Sequence, residues 1–312
     1  CRVDDAELAA SWYEALYCTR QILETDDGAE VLDGFRRHLL KSWGPKGLRY
    51  HETYPWTHTM HSSFHEMGYV LPALLRLLEA EPDHIEAKAR LTEAVRGMRR
   101  LVYERKIQTF WSGDFPFEEQ PIYEFPQDIY LLEGGWDPAR VTGRGESAVR
   151  NGIMLHALVL AWERFGDEAA LDLATGLANH LCGLSRYFNW KGEFFGHVHS
   201  SLWVAAGLIR LGRLAGESRF LDRGRDIFRY VSGLSSDFGW VPEYAQWKPM
   251  SEEHCETCCI RDMILVAFEL IECGEVEHWD LINRYVRNQL TEQQIKTGEF
   301  VGVDNSLEDT DD

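Results

Sequence analysis

Apolar residues recur every three or four positions along most of this 312-residue chain, the period of one face of an α-helix. Nowhere do apolar and polar residues alternate over a strand's length, so the pattern predicts an all-α chain. Helices are expected at 5–25 and at 28–43, the second carried by Val31, Leu32, Phe35, Leu39 and Leu40. Two long helices follow at 60–81 and 84–106. From Ala148 onward the pattern becomes regular, with helices at 148–165, 167–184, 198–215, 217–232, 256–273 and 275–291.

Three of the turns share one pattern: Gly166-Asp167-x4-Asp172, Gly216-Glu217-x4-Asp222 and Gly274-Glu275-x4-Asp280. In each, a glycine ends one helix and an acid opens the next, where the positive end of the helix dipole favours it. Paired helices repeating in this way predict stacked helical hairpins, either an open solenoid or a closed toroid. The ten helices make five hairpins, and a six-hairpin toroid would need one more pair from outside this chain.

Longer loops at 44–59, 107–147, 185–197 and 233–253 alternate with the short turns, each joining one hairpin to the next. All four are therefore expected at the same end of the hairpin array, where Trp, Tyr, His and Glu concentrate. The longest has no clean period and holds Trp111, Phe115, Phe117, Tyr123, Phe125, Tyr130 and Trp136, which reads as a cleft wall or lid.

Charge narrows the partners. With 51 acidic and 32 basic residues the net charge is -19, which argues against nucleic acid or an anionic membrane surface and for a small neutral or cationic substrate. No apolar run is long enough for a membrane span. Seven cysteines, an odd number, do not read as a disulfide framework; they point to a reducing compartment such as the cytoplasm, or to a thiolate site. The chain starts at Cys1 rather than Met, so 1–312 is expected to be a single domain cut from a longer protein.

Four stretches carry candidate chemistry. Between Glu252 and Cys259 lie Cys255, Glu256, Cys258 and Cys259. If a helix begins near Glu253 or His254, the three cysteines share one face of its first turn, and zinc takes Cys sulfur and Glu oxygen together. The same cysteines also read as small buried hydrophobes. His51, His58, His61 and His65 form a second cluster in which His61 and His65 stand four apart on a helix, a spacing that suits a metal pair and equally suits surface or hydrogen-bonded histidines. Gly196-His197-Val198-His199-Ser200 follows Trp190, Phe194 and Phe195, and suits sugar hydroxyls or an ordinary cap. The last stretch, 235–247, sets Asp237 and Glu243 among Trp240, Tyr244 and Trp247. Aromatic surroundings desolvate a carboxylate and keep it protonated, which a glycosidase needs of its proton donor. Glu243 fits that role, whereas Asp237 reads as a turn residue.

The segment from Gly196-His197 to Leu211, with Glu256-Thr257-Cys258 downstream, resembles the β-L-arabinofuranosidase-like glycoside hydrolases. The resemblance is carried by 190–275. It implies an (α/α)6 barrel, here incomplete, and a retaining glycosidase with a zinc-bound cysteine nucleophile and a glutamate acid/base acting on an oligosaccharide. It makes Glu256 and Cys258 zinc ligands, His197 a sugar contact and Glu243 the acid/base; the cysteine cluster itself offers Cys255 or Cys259 as a further ligand. His199, Trp240, Tyr244, His65 and Asn151 complete the expected sugar-binding set, Asn151 standing where the family has a histidine. The family's adjacent Cys pair lies well downstream of Glu-Thr-Cys. Either it follows Asp312, or Cys258, Cys259 and Cys255 have taken its place, with Cys259 the nucleophile. Two alternatives stand beside this reading: a non-catalytic helical-repeat module binding glycan or protein, and an (α/α)6 epimerase or unsaturated-uronyl hydrolase.

Overall fold

The Gly-acid repeat marks the turns of three helical hairpins. Gly166, Gly216 and Gly274 adopt φ of 64°, 71° and 95°, the left-handed conformation that ends a helix at little cost only in glycine. Asp167 then opens the next helix by accepting from the backbone N–H of Ala169 and Ala170 at 3.0 and 3.2 Å. The structure, a computed structural model, describes residues 5–44, 46–52, 60–105, 120–126, 129–130, 145–247, 249 and 252–293.

Five helices form an inner layer: α1 (Asp5–Leu23), α3 (Phe64–Ala80), α6 (Met154–Phe165), α8 (Val198–Ala215) and α10 (Thr257–Ile271). Each packs on the next in that order. Their outer partners are α2 (Ala29–Leu39), α4 (Ile85–Leu101), α7 (Glu168–Cys182), α9 (Ser218–Leu234) and α11 (His278–Tyr285), and a short helix α5 (Gly145–Asn151) leads into α6. Sequence pattern decides the layer. In α8 every residue from Val198 to Ile209 is buried, as an inner helix covered on several sides requires. In α9 only one face is buried, through Phe220, Gly224, Ile227, Phe228 and Val231. Glycines bring the inner helices close: a Cβ on Gly68 would lie 2.5 Å from Ile153 Cγ2, and one on Gly207 would lie 2.7 Å from Leu155 Cγ. The result is an α/α toroid with five hairpins among the described residues.

Short strands tie the loops together at the end where the inner helices begin. β1 (His51–Glu52), β2 (Met60–Ser62) and β5 (Ile129–Tyr130) form one antiparallel sheet, so two long loops meet there. β3 (Tyr103–Arg105) pairs with β4 (Ile122–Glu124), and β6 (Gly196–His197) pairs with β7 (Tyr244–Ala245). None exceeds three residues, too short for alternation to register in the sequence. Two aromatics expected in a cleft wall belong to the core instead. Tyr123 is buried and donates its hydroxyl to Asp172 at 2.8 Å, and Phe125 packs against Phe64 and His180. Trp111, Phe115, Phe117 and Trp136 lie outside the described residues, as does His58.

Candidate functional site

Two inner helices, α8 and α10, begin side by side, and the strand pair β6–β7 holds the loops that feed them. Gly196 pairs with Ala245 and His197 with Tyr244. Val198 N–H donates to the Glu243 carbonyl at 2.9 Å, and Glu243 N–H donates to the His254 carbonyl at 2.9 Å. Three chain segments, 196–198, 242–245 and 253–255, therefore lie edge to edge and fix where α8 and α10 start.

At this junction His197 Nε2 faces Glu256 Oε2 across 3.6 Å, and its Nδ1 shares a 3.0 Å hydrogen bond with the Ser200 hydroxyl. The buried Cys259 thiol donates to Glu256 Oε2 at 3.4 Å. The His197 contact holds the Glu256 carboxyl down at about 2, against burial, with help from His199 and Cys259. The thiols move the other way. Burial and then the Glu256 charge push Cys258 up to about 11 and Cys259 further still. Cys258 is exposed and Cys259 fully buried, so the accessible thiol is Cys258 and the expected nucleophile Cys259 has no open face toward a substrate.

Cys255 corrects a second expectation. The helix begins at Thr257, not near Glu253, and Cys255 lies before it in extended backbone bridged to Pro242. It therefore does not share a helical face with Cys258 and Cys259. Zinc suits the chemistry of Glu256 and Cys258, but it wants four donors. The ligand atoms of Cys255, Glu256 and Cys258 do not gather within 4.8 Å of one another. Among the described residues the group that does is Glu275, Glu277 and His278, in the turn between α10 and α11. The described residues do not complete a zinc site at the Glu-Thr-Cys motif.

His199 has both ring nitrogens engaged. Its Nδ1 bonds the fully buried Asp262 on α10, and its Nε2 lies 2.9 Å from the Tyr69 hydroxyl on α3. His65 and Asn151 serve as ties between segments: His65 Nδ1 donates to the Arg150 carbonyl at 3.0 Å, and Asn151 Nδ2 to the Pro126 carbonyl at 3.2 Å. Trp240 is half-buried in a turn closed by Ser236, whose N–H donates to the Trp240 carbonyl. Tyr244 is placed differently. Its ring lies 5.2 Å from His197 and 5.5 Å from Trp247, which in turn lies 5.5 Å from Phe195. Phe195 and Trp247 are 57% and 54% exposed, so a row of rings leads from the surface to His197.

Inside the ring of inner helices lies a cavity of about 840 Å³, within the usual range for small-molecule sites. Tyr69, Trp203 and Arg261 line the part nearest the helix starts, with the Arg261 guanidinium 4.9 Å above the Trp203 ring. Deeper, Glu269 on α10 accepts from Arg210 on α8 at 2.6 Å and pairs with His156 on α6 at 2.9 Å. Against its own burial, these partners hold Glu269 below the usual carboxylate range. Neither Tyr69, Trp203, Arg261 nor Asp262 stands out in the sequence. Each is embedded in an apolar helical run, and only the distance between helices reveals them.

No protein-family model and no curated protein matches the sequence. Solved structures do match the fold. A GH127 β-arabinofuranosidase superposes with a TM-score of 0.63 at 15% identity, over 93% of this chain and 45% of that one. A GH127 β-L-arabinofuranosidase from Geobacillus stearothermophilus T6 gives 0.59 at 15% identity, over 92% and 46%. An unsaturated glucuronyl hydrolase from Bacillus sp. GL1, responsible for the degradation of glycosaminoglycan, gives 0.57 at 14%, over 92% and 74%. The chain spans less than half the length of the two β-arabinofuranosidases, and it shares with all three enzymes the α/α-toroid fold.

Proposed function

We propose that this chain carries the sugar-binding and acid-bearing part of a glycoside hydrolase acting on an oligosaccharide. The observation that carries the reading is the meeting of His197, Glu256 and the Cys258–Cys259 pair, through the Cys259 thiol, at the starts of α8 and α10, at the inner end of the Phe195–Trp247–Tyr244 row. Aromatic faces stack on the apolar side of sugar rings, and a row of them suits several sugars in sequence. Glycosidic cleavage needs two carboxyl groups in different protonation states. Glu256, held at about 2, is ionised throughout the neutral range and suits the anionic role, stabilising the positive charge that develops on the sugar. Glu243, whose backbone N–H bonds the carbonyl of His254 two residues before Glu256, is the proposed proton donor to the leaving oxygen. Retention of configuration would follow if Cys258 attacked the anomeric carbon, which requires removal of its proton first. The fold shared with two β-arabinofuranosidases supports a furanoside as the first substrate to try.

The test is hydrolysis of a panel of nitrophenyl glycosides, including the β-L-arabinofuranoside, by the wild type and Glu256→Gln. Turnover is expected in the wild type, and a loss of roughly 10²–10³-fold in the variant, the usual scale for an electrostatic stabiliser. One observation favours a second reading, a non-catalytic glycan-binding module: both thiols of the Cys258–Cys259 pair are held protonated. Sugar binding without turnover on any glycoside would decide for it.

A further inference from the structure

The cavity inside the ring differs in charge from the molecule around it. The chain carries -19, yet five arginines and four glutamates line this space. Four of the arginines face acids through at least one terminal guanidinium nitrogen. Arg76 pairs with Glu14 and Glu79, Arg164 with Glu79, Arg210 with Glu163 and Glu269, and Arg213 Nη2 lies 3.9 Å from Glu269.

Arg261 has an acidic partner too, but meets it through Nε alone. Its Nε lies 2.7 Å from Asp262 Oδ1, and its guanidinium rests over the Trp203 ring. Both contacts hold the group in one orientation while leaving the two terminal nitrogens without an ion pair among the described residues. The side chain is 47% exposed and lines the cavity. Asp262 is shared with His199, so its charge is not given to Arg261 alone. Arg261 also stands three residues after Cys258, one turn further along the same helical face. A sugar ring seated past Glu256 and Cys258 and resting near Trp203 would present an exocyclic group to the open edge of this guanidinium. A planar fork with two free nitrogens matches a carboxylate in bidentate fashion, whereas a hydroxymethyl group can take only one neutral hydrogen bond there.

We propose that Arg261 is a specificity-determining residue and that the cavity selects an acidic sugar, a uronate, over its neutral counterpart. The inference rests on the proposed function only in taking the ligand to be a sugar. The experiment is calorimetric titration of the protein with methyl glucuronide and methyl glucoside, which differ only in the carboxylate. The wild type is expected to bind the uronide at least about tenfold more tightly, the scale of one charge-assisted hydrogen bond. Arg261→Gln should bring the two affinities together, and Arg261→Lys, which keeps the charge but not the fork, should retain part of the gap. Unfolding curves show whether each variant is folded, and the wild-type comparison stands without them. Equal affinities in the wild type, no binding of either sugar, or a preference that survives Arg261→Gln would overturn the proposal. Uronide-selective binding with no turnover of any glycoside would uphold this inference and remove the hydrolase reading. Turnover of neutral glycosides with no uronide preference would remove this inference alone.

Discussion

His199 on α8 and Asp262 on α10 are hydrogen-bonded across two inner helices, and both are buried. The pair extends to Tyr69 on α3 and to Arg261, so one carboxylate helps to align three helices beneath the candidate site. Removing the carboxylate leaves a buried imidazole nitrogen without its hydrogen-bond partner, at a cost of about 1–3 kcal/mol. Asp262→Ala is expected to lower the unfolding free energy by that amount in urea titration. The exposed Asp280→Asn should stay within about 0.5 kcal/mol of wild type, as surface changes usually do.

Two glycines should respond with opposite sign to the same substitution. Gly207 lies where α8 meets α6, and an added Cβ would stand 2.9 Å from His156 N, backbone that cannot yield cheaply. Overpacking of this kind costs about 1–3 kcal/mol, which outweighs the gain of about 1 kcal/mol from replacing a helical glycine by alanine. Gly34, within α2, has nothing within 4 Å of the added carbon. Thermal unfolding should therefore show Gly207→Ala less stable and Gly34→Ala more stable than wild type. A rise in midpoint for Gly207→Ala would show that the inner helices can part without cost.

The hairpins were legible in the sequence because Gly166, Gly216 and Gly274 each do one local job that only a turn needs. The start of α10 was not. Ser251 to Glu256 has polar residues that suit either a first helical turn or an extended lead-in, and the choice is made by a long-range contact, the bridge from Cys255 to Pro242. That single displacement removes Cys255 from the face of Cys258. The His197–Glu256 contact was foreshadowed by the Gly-His and Glu-Thr-Cys motifs, whereas Tyr69, Trp203, Arg261 and Asp262 were hidden by the apolar period they interrupt. A period reports which face is inside, and says nothing of whether the inside is packed core or a cavity wall.

Acid should weaken the junction through Glu256. Its folded value near 2 lies below the ordinary 4.5, so its stabilising contribution is complete above about pH 4.5 and is lost as the pH falls toward about 2. The melting temperatures of wild type and Glu256→Gln should accordingly differ by a constant amount near neutral pH and converge in acid. A gap as wide at pH 2.5 as at pH 6 would mean that the carboxylate is not held by its neighbours.

The ring row makes a separable demand on substrate length. Trp247 lies outside the His197–Tyr244 contact and next to the exposed Phe195, so it is placed to meet a sugar distant from the reacting bond. Losing one stacking ring costs about 1 kcal/mol. Trp247→Ala should raise KM for an oligosaccharide several-fold and leave a nitrophenyl monosaccharide unchanged. Equal effects on both would place Trp247 in the fold and not in binding.

Glu243 offers the sharpest test of the proposed chemistry, because its expected role depends on the leaving group. A general acid contributes roughly 10²–10⁴-fold where the departing oxygen must be protonated. Its backbone is bonded on one side to His254 and on the other to Val198, so Glu243→Gln keeps the strand contacts that position it and removes only the acidic proton. Turnover of a natural oligosaccharide is expected to fall by that factor with binding nearly intact. A nitrophenyl glycoside, whose leaving group departs without protonation, should be spared most of the loss in the first step. Should the variant hydrolyse the natural substrate at the wild-type rate, the proton comes from another carboxyl. Glu253 is the next to replace, since it is buried beside this strand, takes the Tyr244 N–H at 3.4 Å through Oε2 and leaves Oε1 without a hydrogen bond.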